Sequence, residues 1–70
     1  MPPTLDLDNL FSYHPPKGDQ QERYIRIRAA AKHLAEEIVA CSKPSAEQTL
    51  AIRDVQRASM MANAAIACNE

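Results

Sequence analysis

The sequence predicts an all-α protein. It reads as an antiparallel two-helix hairpin with a short N-terminal arm or helix, assembling as a helical homo-oligomer. Three observations carry this expectation. Apolar residues recur at steps of three and four over residues 20–41 and again over 46–68, the spacing of a helical stripe. Hydrophobic residues make up 46% of the chain but aromatics only 4%, with one glycine, which excludes the turn-rich, β-branched and aromatic pattern of a small sandwich or barrel. The length of 70 residues lies at the limit below which a monomer seldom buries enough core without a staple, and two cysteines supply no disulfide framework. A net charge of −1 with this much apolar surface also excludes a disordered tail.

Residues 1–18 form the arm, punctuated by Pro2-Pro3 and Pro15-Pro16, with Leu5, Leu7, Leu10 and Phe11 between them. A turn or two of helix is expected around Leu5–Phe11. The Pro15-Pro16 pair then imposes an extended approach, because a residue before proline avoids the helical region. The first long helix is expected over 20–41, with Asp19 as N-cap and Glu22 at the capping-box position. Its seam is Tyr24, Ile27, Ala31, Leu34, Ile38 and Cys41, an a/d-like stripe. Ser42-Lys43-Pro44 ends it, and Ser45 with Gln48 forms a second capping box for a helix over 46–68. The inner stripe there is Ala51, Val55, Ala58, Ala62 and Ala65, whose small side chains let two backbones approach closely. So short a loop between two long helices requires an antiparallel hairpin, read as a single domain over 1–70. Leu50, Ile52, Met60, Met61 and Ile66 are left over on further faces of the second helix, and their burial calls for other copies of the chain.

Several function classes are disfavoured at this level. No apolar run approaches the roughly 18 residues of a membrane span, and no signal-peptide core follows Met1, so no membrane partner and a soluble protein of a reducing cytoplasm are expected. His14, His33, Cys41 and Cys68 show no metal-ligand spacing, and Cys41 ends the first helix beside the loop while Cys68 ends the second at the far end of the hairpin, so neither a metal nor a cofactor is expected. The carboxylate pairs Asp19/Glu22 and Glu36/Glu37 have capping or solvated roles, no nucleophile–base order or glycine-rich loop is present, and the expectation is a non-enzyme. Positive charge is concentrated between Lys17 and Lys32, with five bases against two acids. That is too little for duplex DNA or structured RNA and enough for a ligand with a few phosphates. Arg28 and Lys32, four apart, share one shoulder of the first helix: either a solvated rim or a pair of cations reaching over a seam toward an anion. The strap Ser12-Tyr13-His14-Pro15-Pro16 offers flat rings on a stiff backbone, suited to stacking on a nucleobase or to pinning the arm to the hairpin.

The runs FSYHPPKGDQQERYIRIRAAAKHLA, KPSAEQTLAI and MMANAAIACNE resemble the helical-hairpin domain of the phage anti-CBASS and anti-Thoeris cyclic-nucleotide sponges, over about residues 11–70. The resemblance implies a homohexamer, a trimer of dimers, that binds cyclic di- or trinucleotides without chemistry in the cytoplasm of the infected bacterial host. It implies pockets between subunits, with Tyr13 stacking on a base, Arg28 on the phosphates, and Lys32 and His14 as neighbours. A separate trinucleotide-type pocket would draw on Asn63 and the position of Cys68. Two departures bear on that second pocket: Met61 stands where the family phrase has tryptophan, and Cys68 where it has arginine. The rival reading is a small helical adaptor that binds a host protein through its Met- and Ala-rich second helix.

Overall fold

The structure, a computed structural model, describes residues 5–70. Three helices follow in order: α1 (Leu7–Leu10), α2 (Gln20–Cys41) and α3 (Ala46–Asn69). The described residues contain helices, turns and loops and no strand.

Helix α1 is a single turn, started by Asp6, whose side chain accepts from the Asn9 N–H at 3.1 Å. The chain then runs through the proline pair to Gly18, whose φ of 53° lies in the left-handed region open to glycine at little cost. That turn changes how α2 begins. Asp19 has φ −90° and ψ 9° and makes no side-chain cap, so the expected Asp19/Glu22 capping box is not formed. An N-cap oxygen reaches the next turn from extended backbone, and Asp19 already lies near helical values. Gln20 instead ties the preceding loop to the start of the helix. Its Oε1 accepts from the Lys17 N–H at 2.9 Å, its own N–H donates to the Lys17 carbonyl at 2.9 Å, and the residue is only 5% exposed.

The start of α3 follows the sequence more closely. Ser45 is extended, and its Oγ accepts from the Gln48 N–H at 3.1 Å. The Gln48 side chain closes the loop rather than the box, donating to the carbonyl and Oγ of Ser42. Arg23 in the first turn of α2 grips Glu70 beyond the end of α3, so the two long helices run antiparallel.

Their seam differs from the expected stripes. On α2, Tyr24, Ile27, Ala31, Ala35 and Ile38 are half-buried, while Leu34 is 51% exposed and Cys41 is exposed. On α3, Ile52, Val55, Ser59, Ala62 and Ile66 are half-buried, whereas Ala58 and Ala65 are exposed. A straight helix of 3.6 residues per turn drifts about 20° per heptad from a strict 3.5-residue stripe. The contact line therefore passes to Ala35, Ile52, Ser59 and Ile66 and leaves Leu34 and Ala58 on an open flank.

No hydrophobic residue is fully buried among those described. The accessible surface is 5929 Å², against about 4,400 Å² for a compact monomer of this mass. The radius of gyration is 15.0 Å, against about 11 Å for a compact chain of this length. One hairpin hides a single stripe per helix and leaves the rest to solvent.

Candidate functional site

The arm reaches the hairpin through the carbonyls that a helix leaves unpaired at its C-terminus. Asn9 Nδ2 donates to the Cys68 carbonyl at 3.0 Å, and Lys17 Nζ lies 3.5 Å from the Glu70 carbonyl. His14 Nε2 lies 2.7 Å from the Asn9 carbonyl. A carbonyl only accepts, so Nε2 carries the hydrogen and donates, leaving Nδ1 of a neutral ring as an acceptor. Phe11 is 84% exposed and does not anchor the arm. Asn9 and Lys17 do, and His14 ties the strap back to Asn9.

Docked this way, the arm sets His14 beside Tyr24, Arg28, Asn63, Ala64 and Ala67 around a hollow of about 290 Å³. Arg28 and Asn63 also line an adjoining groove of about 400 Å³, together with Lys32, Gln56 and Met60. At about 100° per residue, Arg28 and Lys32 fall on one side of the Ala31 seam, and Ala30 and Leu34 on the other. That other flank is an apolar groove of about 460 Å³ lined by Ile27, Leu34, Val55 and Ala58. The hairpin thus has one cationic, polar flank and one apolar flank.

The cations differ in their engagements. Arg23 is held by Asp19 Oδ1 at 3.2 Å and forks onto both carboxylate oxygens of Glu70, at 2.5 and 3.1 Å. Hydrogen bonding to Glu70 raises the Arg23 pKa above its ordinary value, and the same contact lowers that of Glu70. Arg28 and Lys32 are exposed and make no ion pair among the described residues, Glu36 included. A fork and a point charge side by side, with no internal carboxylate, suit a phosphodiester.

Of the residues singled out from sequence, Arg28, Lys32, His14 and Asn63 come together on this flank. Asn63, expected in a separate pocket with Cys68, lies beside Arg28, while Cys68 contributes its backbone carbonyl to the arm. Tyr13 is 84% exposed and lines neither hollow. Asn9 and Gln56 escaped the sequence reading. Asn9 acts across 59 residues of chain, and no local pattern encodes that partner. Among the described residues no cluster of three or more metal-ligating side chains exists, and no helix is long and apolar enough to cross a membrane.

The chain matches the family model described as Acb2/Tad1, hairpin domain, over residues 4–67. It belongs to the Acb2/Tad1 hairpin-domain family. No curated protein and no solved structure matched the chain. The match takes in α1, the strap, α2 and nearly all of α3, so the arm belongs to the family domain and the cationic flank lies within it. The Acb2/Tad1 family is that of the anti-CBASS and anti-Thoeris sponges, phage proteins of immune evasion that take up cyclic nucleotides.

Proposed function

We propose that this chain is a non-degrading sponge that sequesters cyclic dinucleotides, and in a second mode cyclic trinucleotides, inside the infected bacterium. Sequestration needs affinity and stoichiometry only. Each bound messenger leaves the free pool, and the effectors that read it stay unoccupied. The observation that carries this reading is the Arg28/Lys32 couple, which makes no ion pair among the described residues, on two adjoining hollows that share Arg28 and Asn63 and of which one also holds His14 and Tyr24, in a chain of the Acb2/Tad1 family.

In this reading Arg28 forks onto a phosphate, Lys32 adds a second charge, and His14 borders the ligand. Tyr13, free on its strap, stacks on a base. In the same reading the chain assembles as a homohexamer, a trimer of dimers, with its pockets between subunits. The excess surface and the absence of a buried apolar core among the described residues support association in general terms.

Titration calorimetry with cyclic di- and trinucleotides tests the proposal, with chromatography of the recovered ligand. The expected result is saturable binding and chemically unchanged nucleotide, weakened roughly 5- to 150-fold by Tyr13→Ala with assembly intact. No binding across the panel by an assembled protein refutes it. Met60 and Met61, each 62% exposed, favour a second reading in which α3 docks on a host protein. That reading predicts a complex whose affinity ignores added cyclic nucleotide.

A further inference from the structure

Asn9 makes two contacts that point in different directions. Its side-chain Nδ2 donates to the Cys68 carbonyl at 3.0 Å, 59 residues away in the chain, and its own carbonyl accepts from His14 Nε2 at 2.7 Å. Cys68 lies in the last turn of α3, where the carbonyls of a helix have no internal donors. One residue thus joins the end of α3 to His14, the arm residue that lines the hollow beside Tyr24 and Arg28. Asn9 itself lines neither hollow of the cationic flank.

The rest of the arm adds little apolar burial to this docking. Leu7, Leu10 and Phe11 are 62%, 49% and 84% exposed, and no residue of α1 is buried. Hydrogen bonds hold the arm instead, with Lys17 Nζ at 3.5 Å from the Glu70 carbonyl as a longer second tie. Each such bond contributes only modestly in net terms, because water competes for both partners. An arm held by so few of them occupies its docked position as an equilibrium. His14 borders the hollow in the docked fraction alone, and apparent affinity scales with the competent fraction.

We propose that Asn9 is a positioning residue for ligand uptake: it sets the docked fraction of the arm and acts on the nucleotide through His14. This rests on the sponge reading above and adds a residue outside both hollows that controls affinity. The coupling is reciprocal, so a bound nucleotide strengthens the docking of the arm by the same factor as docking strengthens binding.

The test is a double-mutant cycle read by calorimetry: the full chain, Asn9→Ala, His14→Ala and the double variant, each titrated with cyclic di-adenylate and cyclic di-guanylate. Oligomer size and amide hydrogen exchange across residues 5–14 are followed in parallel. Asn9→Ala is expected to lose roughly 2- to 13-fold in affinity, the worth of one neutral hydrogen bond. The factor is the same for both nucleotides, since Asn9 touches neither base. In the His14→Ala background the Asn9 substitution costs nothing further, an interaction that a merely structural role would not produce. Added nucleotide slows exchange across the arm in the parent and slows it less in His14→Ala. If the parent binds and Asn9→Ala binds as well as the parent does, or costs the same with and without His14, Asn9 does not position His14 and the sponge reading survives. If Asn9→Ala shrinks the oligomer, the amide serves the assembly and the proposal is overturned. If the parent binds neither ligand nor any other of the cyclic nucleotide panel, the functional reading falls and this proposal with it.

Discussion

Replacing Arg28 with alanine separates binding from folding more cleanly than any other single change. Arg28 is exposed, lies mid-helix in α2 and makes no ion pair or side-chain hydrogen bond among the described residues. Alanine is the stronger helix former, and surface changes away from special features usually stay within about 0.5 kcal/mol, so the unfolding transition should hardly move. The cost falls on the ligand. A hydrogen bond to a charged group contributes about 1.5–3 kcal/mol, which corresponds to a loss of roughly 10- to 150-fold in affinity for a cyclic dinucleotide. Titration calorimetry at two salt concentrations reads both the loss and a shallower salt dependence, since one fewer cation faces the phosphates. Arg28→Lys should fall between parent and alanine, because it keeps a charge without the planar fork. Arg23→Ala is the control for charge alone, since Arg23 is already engaged by Asp19 and Glu70. If Arg28→Ala binds like the parent while Arg23→Ala does not, the cationic flank has been assigned to the wrong residue.

Three further outcomes follow from the same geometry. Ser45→Ala removes the oxygen that caps α3 and should lower stability by about 1 kcal/mol in urea denaturation, with ligand affinity at saturating assembly unchanged. Glu70 ionises more readily in the folded chain because Arg23 hydrogen-bonds it, so its contribution is fully present above the ordinary carboxylate value of about 4.5 and is lost as pH falls through the lower folded value. Melting curves between neutral pH and pH 3 should therefore lose a component on acidification that Glu70→Gln lacks, and added salt should shrink it. Leu34→Glu places a charge on the apolar flank, where Leu34 is 51% exposed in the hairpin, and sedimentation should then show smaller species with helix content retained.

How far the sequence disclosed this arrangement depended on the range of the interactions. The start of α3 and the end of α2 were legible because Ser45, Pro44 and Ser42 act within a few residues of themselves. The start of α2 was misread at Asp19, which after the left-handed turn at Gly18 already lies near helical values and makes no side-chain cap. The seam was legible in period and slightly wrong in phase. A heptad template chose Leu34 and Ala58, and the geometry of a straight helix chose Ala35 and Ser59. Arg28 and Lys32 were visible as a pair by spacing alone. Their neighbours were not, because the approach of His14 to Arg28 and Asn63 depends on Asn9 and Lys17 reaching the last carbonyls of α3, contacts that span more than fifty residues.

The central claim is that this chain takes up cyclic nucleotides and returns them intact. Native mass spectrometry of the purified full chain mixed with cyclic di-adenylate tests it most directly, because one spectrum reports subunit count, ligand count and ligand mass. The account predicts an oligomer carrying a fixed number of nucleotides of unaltered mass, released unchanged on denaturation. An oligomer that retains no nucleotide, or a nucleotide recovered with its phosphodiester opened, would contradict it.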